Sequence, residues 1–116
     1  MKRKTIRNHK DFYIPRDSNL VASCDCFVLR AKPAKIPSDA RYGILATKKV
    51  FRFAVQRNRA KRLVRDWLAF HENLMNNNLD YVFILRAPIL NMDRKSGRKE
   101  MEYVLNKISE IYKQNA

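Results

Sequence analysis

Apolar residues recur every three or four positions over residues 54–75, which is the spacing of one face of an α-helix. Cationic residues occupy the other side: Arg57, Lys61 and Arg65 form a ridge at i, i+4 and i+8. The apolar stripe comprises Ala60, Leu63, Val64, Trp67, His71 and Leu74. Asn58 and Arg62 lie beside the basic ridge, and Arg59 lies at its edge. The pattern predicts a helix that packs one face on a core and presents the other to phosphates.

The charge of the chain is concentrated around this segment. Residues 41–65 hold nine cations and no acid, residues 1–40 hold nine cations and four acids, and residues 66–116 hold seven of each. An ordinary solvated helix face mixes charges of both signs, whereas an acid-free block indicates one strongly positive face. The net charge of +14 therefore favours a polyanionic partner, with nucleic acid as the leading candidate.

The remaining segments predict a small α/β protein. Residues 20–32, 41–49 and 80–86 have strand character, and a second amphipathic helix is expected over residues 97–113 with Ser96 as its N-cap. A short helix or extended arm carrying Phe12 comes before the first strand. The order of elements predicts a two-layer α/β sandwich, and 116 residues suffice for a single domain over residues 1–116.

Composition excludes several classes of protein. Two glycines are too few for a glycine-rich phosphate loop, and the longest apolar run, residues 81–85, is far too short to cross a bilayer. The basic amino terminus leads into Asp11 rather than into an apolar segment, so no secretory signal is predicted. We therefore expect a cytoplasmic protein with neither a membrane nor a small-molecule substrate as its partner.

No set of residues predicts a catalytic centre or a protein-held metal. His9 and His71 are far apart in sequence, and the position of His71 on the apolar stripe favours a core histidine. Cys24 and Cys26 are expected on one face of a strand as small buried thiols, because a zinc site would need a second pair of ligands.

Three motifs carry a resemblance to a known family. They are Thr47-Lys48-Lys49-Val50, Ala54-Val55, and the run RNRAKRLVR over residues 57–65, with Asp11-Phe12, Phe27-Val28-Leu29, Arg41-Tyr42-Gly43, Arg86 and Pro88 as weaker flanking matches. Together they span nearly the whole chain, and they resemble the protein component of bacterial ribonuclease P.

The resemblance implies a small mixed sheet with a left-handed β-α-β crossover around the basic helix, which is an exception to the usual hand. It also implies a protein subunit that binds a catalytic RNA and the 5′ leader of precursor tRNA. The holoenzyme would be an endoribonuclease that removes the leader with Mg²⁺ bound mainly through the RNA, so no catalytic residue is expected in this chain.

Site residues follow from matching positions in the family. The residues implied to bind the RNA subunit are Arg57, Asn58, Arg59, Lys61, Arg62 and Arg65, with Lys48 and Lys49 at a strand end. The residues implied to line the leader cleft are Phe12, Val28, Arg30 and Leu45.

The chain departs from the family pattern at two places. Phe51-Arg52-Phe53 stands where Gly-Asn is common, so the basic helix lacks a turn glycine and an Asn N-cap. Arg16 and Arg30 stand where aromatic residues are common, which favours leader binding through cation–π and phosphate contacts more than through stacking.

Two other classes of protein share these electrostatics. A structural RNA-binding protein, such as a ribosomal one, is also small and basic, but the motif over residues 57–65 and its flanks favour the ribonuclease P family. A DNA-binding regulator is the weaker alternative, because neither helix-turn-helix spacing nor a dimer seam is apparent.

Overall fold

The computed structural model describes residues 3–14, 18–36 and 40–114. The strands are β1 (Lys4–Thr5), β2 (Val21–Ser23), β3 (Phe27–Pro33), β4 (Arg41–Leu45) and β5 (Leu79–Leu85), and the helices are α1 (Ala54–Phe70) and α2 (Arg94–Gln114). Short 3-10 turns occupy His9–Phe12, Glu72–Leu74 and Ala87–Asn91. No helix in the described ranges is long and apolar enough to cross a membrane.

The described strands form one mixed sheet in the order β1-β4-β5-β3-β2. β1 and β5 both run parallel to β4, whereas β3 is antiparallel to both β5 and β2. Adjacent parallel strands need a crossover connection, and α1 supplies it between β4 and β5. The crossover around the basic helix is thus present, while its hand stays a prediction.

Both helices pack on one face of this sheet, as the two-layer sandwich requires. In β3 the odd-numbered residues Phe27, Leu29 and Ala31 are fully buried, while Val28, Arg30 and Lys32 are half-buried, and the buried side chains pack with Val64 and Trp67 of α1 and Leu105 of α2. This alternation is the period-two pattern of a strand with one buried face. The other face carries a smaller apolar cluster in which Ile6, Ile14 and Val82 are buried.

The two helices approach closely at Gly97. A side chain there would overlap the indole of Trp67, which is fully buried between the helices. The sequence prediction placed Ser96 at the N-cap of α2, and this was wrong: α2 begins at Arg94, and the Asp93 side chain accepts the Ser96 backbone N–H at 2.8 Å. Asp93 thus occupies the capping position, three residues before the N–H that it satisfies.

The predicted strand over residues 20–32 is in fact a hairpin. β2 and β3 pair with Val21 opposite Arg30, and the Cys24 N–H donates to the Phe27 carbonyl at 3.0 Å across the turn. Apolar and β-branched residues flank this turn on both sides, so the sequence pattern predicted one continuous strand. The two cysteines consequently lie in a turn with their sulfurs 3.3 Å apart, Cys26 buried and Cys24 half-buried.

Two other boundaries and one element differ from prediction. The strand predicted over residues 41–49 ends at Leu45, and the helix predicted over residues 54–75 ends at Phe70. His71 is consequently half-buried just beyond α1 and does not belong to the described core, so its prediction as a core histidine was wrong. β1 was not predicted, because two residues are too few to show a period.

Candidate nucleic-acid interface

The basic side of α1 is an open surface. Ala60, Val64, Trp67 and Leu68 fix the opposite side of the helix in the core. A shallow depression of about 500 Å³ on the outer side is lined by Val55, Asn58, Lys61, Arg62 and Arg65. Four of the six helix residues predicted to bind RNA are therefore brought together here. We call this surface the α1 basic face.

Arg57 differs from the other predicted residues because it also holds the loop before the helix. Its Nη1 donates to the Phe51 carbonyl at 2.9 Å and to the Arg52 carbonyl at 3.3 Å. The backbone N–H of Phe53 donates to Oε1 of Gln56 at 3.3 Å. These bonds fix the start of α1 without the Asn N-cap and turn glycine that the family pattern supplies, while Phe51 is buried in the core.

Arg59 lies toward α2. It lines a second depression of about 300 Å³, the α1–α2 notch, formed by Arg59, Arg62, Leu63, Asp66, Trp67 and Arg94. Asp66 is the first acid after the cationic block, and its carboxylate lies 3.6 Å from both Arg94 Nε and Arg98 Nη2. Because cations of α2 pair with this acid, it does not interrupt the α1 basic face.

Lys48 and Lys49 are exposed in the turn that leads from β4 toward α1. The prediction placed them at a strand end, and this was wrong because β4 ends at Leu45. The Phe51 N–H donates to the Thr47 carbonyl at 2.8 Å and closes the turn around them. Their side chains therefore remain on the surface just before the basic helix.

The four residues predicted to line a leader cleft lie on the sheet face opposite the helices. Residues directly opposite one another in a sheet share a face, so the register defines rows across β3, β5 and β4. One row is Val28, Ile84 and Leu45, and the next is Arg30, Val82 and Gly43. Phe12 lies against Gly43, where a methyl group would overlap its ring. All four predicted residues are half-buried, and we call this surface the sheet cleft.

The third row, Lys32, Asp80 and Arg41, holds Phe12 in place. Arg41 bridges two carboxylates, with Nη1 at 3.0 Å from Asp11 Oδ2 and Nη2 at 3.0 Å from the fully buried Asp80 Oδ2. Lys32 Nζ donates to the carbonyl oxygens of Asp11 and Tyr13, at 2.6 and 3.0 Å. The backbone on both sides of Phe12 is thereby tied to the sheet.

The charges of this row reinforce one another. The hydrogen bond from Arg41 lowers the pKa of Asp11 below its ordinary value. Burial opposes the charge on Arg41, but its hydrogen bonds to Asp11 and Asp80 outweigh this and raise its pKa. Both groups therefore remain ionised near neutral pH. The sequence analysis did not assign this positioning role to Lys32 or Arg41. Lys32 lies two residues from Arg30 on the same face of β3, and Arg41 lies two residues from Gly43 on the same face of β4.

The side chains of these surfaces do not suit a divalent metal ion. Magnesium takes oxygen ligands, and the α1 basic face offers only the Asn58 amide oxygen among cations. Throughout the described ranges there is no group of three or more His, Cys, Asp or Glu residues that could hold a metal. Mg²⁺ bound through an RNA partner stays a prediction.

Arg16, which the sequence analysis connected with leader binding, lies outside the residues that the structure describes, as does the neighbouring Pro15.

The fold and the two surfaces define a small α/β protein with a strongly basic helix face on one side and a cleft with an aromatic and a cationic residue on the other. A family model described as Ribonuclease P matches residues 1–109. The chain belongs to the ribonuclease P protein component family, the protein part of an endoribonuclease that acts in tRNA 5′ processing.

Individual relatives agree with the family match. The ribonuclease P protein component of Nitratiruptor sp. is 32% identical over 106 residues, which cover 90% of this chain and 92% of that protein. That of Halalkalibacterium halodurans is 33% identical over 81 residues, covering 70% and 67%. The solved RNase P protein of Staphylococcus aureus, at 26% identity, has a TM-score of 0.68 over 90% of this chain and 94% of that one.

Proposed function

We propose that this chain is a cytoplasmic ribonucleoprotein subunit that binds the RNA subunit of ribonuclease P through the α1 basic face and the 5′ leader of precursor tRNA along the sheet cleft. The observation that carries this proposal is the separation of the two surfaces. One is a helix face built for a phosphate backbone, and the other is a sheet face that combines an aromatic ring with a cation.

The α1 basic face suits a folded RNA. Arginine grips phosphate oxygens with two parallel hydrogen bonds, and successive turns of α1 repeat such contacts about every 5–6 Å. The helix is held in the core by four buried residues, so its cations are presented on a rigid support. Asn58 adds an amide that can both donate and accept at a base edge or a sugar hydroxyl. Lys48 and Lys49 extend the positive surface toward β4.

The sheet cleft suits a single strand. Its rows span three strands and are about 10 Å wide, since neighbouring strands lie about 4.8 Å apart. The Phe12 ring offers a stacking surface that accepts any base, and Arg30 in the same row supplies a cation for the backbone. Binding of this kind holds a leader without selecting its sequence.

The chemistry of leader removal belongs to the RNA subunit in this proposal. Mg²⁺ bound through the RNA would supply Lewis-acid chemistry for hydrolysis of the phosphodiester. The protein positions the leader and lowers the repulsion between two RNAs by placing cations between them. No residue of the chain moves a proton or attacks the phosphate.

Binding of the ribonuclease P RNA at increasing salt tests the first contact. We expect the affinity to fall steeply, because each neutralised phosphate releases counterions. Arg62→Ala and Arg65→Ala should each weaken binding and reduce the salt slope by about one, whereas Lys107→Ala on α2 should change neither. A flat salt response, or equal effects of all three variants, would refute the α1 basic face as the RNA-binding surface.

Precursor tRNAs with one-nucleotide and longer leaders test the second contact. The holoenzyme should bind the longer leader more tightly, and Phe12→Ala should remove about fivefold or more of that advantage. Arg30→Ala should remove a further part, and Tyr103→Ala, on the helix side of the molecule, should remove none. An advantage that persists unchanged in Phe12→Ala and Arg30→Ala would contradict the proposed leader path.

A further inference from the structure

A third depression lies between the end of α1 and the start of α2. We call it the α1–α2 cleft, and its volume is about 430 Å³. The residues that line it are Phe70, His71, Arg94, Lys95, Arg98, Lys99 and Glu102. Neither the α1 basic face nor the sheet cleft includes these residues, and the family motifs do not cover them.

Phe70 is an exposed aromatic residue in this cleft. Its side chain is 58% exposed although it belongs to a helix that buries Val64 and Trp67. The Arg98 guanidinium carbon lies 4.0 Å from the centre of its ring, and the His71 ring meets its edge at 4.9 Å. Phe70 is not part of the described core, so core packing does not account for a phenylalanine here.

The cations of the cleft are concentrated locally. Residues 66–116 carry no net charge overall, yet four cations fall within residues 94–99. Arg94 and Arg98 share Asp66, and the Arg98 Nε is buried without a hydrogen-bond partner. In the described part of the chain, Lys95 and Lys99 form no ion pair. The cleft thus has four cations, with Glu102 in its lining, Asp66 shared by Arg94 and Arg98, and Asp93 near Lys95, so cations outnumber acids at this surface.

The cleft is connected to the α1 basic face through shared residues. Arg62 lines both the basic face and the α1–α2 notch, and Arg94 lines both the notch and the α1–α2 cleft. Cations thus continue from Arg65 across Arg62 and Arg94 to Lys95. An RNA strand that extends beyond the α1 basic face would meet side chains that can bind its phosphates, namely Arg62, Arg94 and Lys95, before it reaches the α1–α2 cleft.

We infer that the α1–α2 cleft binds an unpaired nucleotide of RNA, with its base against Phe70 and its phosphate on Lys95 and Lys99. A free phosphate would not use the aromatic ring, whereas a nucleotide uses both the ring and the cations. Glu102 suits a base that carries an exocyclic amine, since a carboxylate accepts from such a group. This inference rests on the proposed function only in taking RNA as the partner.

Binding of 5′-labelled penta-cytidylate, followed by fluorescence anisotropy at low salt, tests this site in protein that carries Phe12→Ala and Arg30→Ala, so that the sheet cleft does not hold the oligonucleotide. Phe70→Ala and Phe70→Leu should each weaken binding about fivefold or more, because stacking on the ring is lost, and Phe70→Tyr should retain it. Tyr103→Ala is the matched control, since Tyr103 is also 58% exposed on α2 but does not line the cleft. Lys95→Ala with Lys99→Ala should weaken binding more than Lys107→Ala with Lys113→Ala.

The outcomes separate this inference from the proposed function. Thermal unfolding of each variant shows whether it is folded, and Phe70→Leu keeps an apolar side chain if Phe70→Ala is unstable. If wild-type protein binds ribonuclease P RNA and Arg62→Ala weakens that binding, the proposed function stands. Equal penta-cytidylate affinities for Phe70→Leu, for Tyr103→Ala and for the protein with Phe70 unchanged, all in the Phe12→Ala, Arg30→Ala background, would then overturn the nucleotide site alone.

Discussion

Single residues set how closely the parts of this molecule approach. Gly97 allows α2 to cross Trp67, and Gly43 allows Phe12 to lie on the sheet. Each glycine is required by a neighbouring ring and not by a turn. Composition shows only that there are two glycines; their role depends on contacts that span 30 residues of sequence for Gly97 with Trp67 and 31 residues for Gly43 with Phe12.

Gly97→Ala should destabilise the protein. Alanine favours a helix over glycine by up to about 1 kcal/mol, but its methyl group would overlap the buried Trp67 ring, and overpacking of this kind costs about 1–3 kcal/mol or more. We expect a lower midpoint of thermal unfolding than in wild type. Asn106→Ala, at an exposed position of the same helix, should leave it nearly unchanged. A Gly97→Ala variant as stable as wild type would show that the helices do not meet at this point.

The two thiols at the β2–β3 turn should differ in reactivity. The Cys24 and Cys26 sulfurs lie within hydrogen-bond distance at 3.3 Å, and the bond between them lowers the pKa of Cys24 to about 7, while the same bond and burial raise the pKa of Cys26. Iodoacetamide should therefore modify Cys24 with a rate that rises through about pH 7 and leave Cys26 unmodified in the folded protein. In denaturant both should react with a midpoint near 8.5, the ordinary value for a thiol. Equal rates in the folded state would contradict this geometry.

The elements that form the two surfaces are held in place by different interactions. α1 depends on buried apolar residues, and the segment with Phe12 depends on the row of Lys32, Asp80 and Arg41. The sequence predicted α1 because helical periodicity is local. The sequence could not predict the contacts that hold the segment with Phe12. Asp11, Arg41 and Asp80 are far apart in the chain, and only the sheet brings them together. The β2–β3 hairpin was missed for a related reason: both of its strands have the same apolar character.

Arg41→Ala should strongly destabilise the sheet cleft. It would leave the buried Asp80 carboxylate without its cation, and breaking a buried pair from one side costs about 3–5 kcal/mol. Thermal unfolding should occur at a clearly lower temperature. Lys35→Ala is the control, because Lys35 is 68% exposed and its Nζ lies 3.9 Å from Asp11, a contact of the kind that contributes little. Similar midpoints for both variants would refute the role of the Arg41 bridge.

Acid should weaken the fold through carboxylates at two elements. The pKa of Asp11 is lowered by its bond to Arg41, and that of Asp93 by bonds from the Ser96 hydroxyl and backbone at the start of α2. Groups whose pKa is lower in the folded state bind fewer protons there, so their stabilisation is present above the unfolded value of about 3.9 and is lost as the pH falls below it.

Thermal unfolding between pH 5 and pH 2.5 measures this effect. The midpoint of the wild type should fall more steeply with acid than that of the Asp11→Asn, Asp93→Asn double variant. An equal acid dependence of both proteins would show that these two carboxylates do not couple folding to pH.

At the scale of the whole molecule, the sequence gives the net charge of each segment, whereas the fold determines which cations share a surface. The acid-free block over residues 41–65 includes four of the residues that line the α1 basic face, namely Asn58, Lys61, Arg62 and Arg65. Residues 66–116 hold equal numbers of cations and acids, so their net charge did not predict the cationic cleft at the start of α2. The spacing of Arg94 with Arg98, and of Lys95 with Lys99, is i, i+4 on a helix and was a signal for that cleft.

The most direct test of the proposed function is to capture the tagged protein from its own cells at moderate salt and to sequence the RNA that remains bound. We predict enrichment of one structured RNA, the ribonuclease P RNA, together with precursor tRNAs that still carry their 5′ leaders, and loss of both in the Arg62→Ala, Arg65→Ala variant. Enrichment of ribosomal RNA alone would contradict the account and would favour a structural RNA-binding protein.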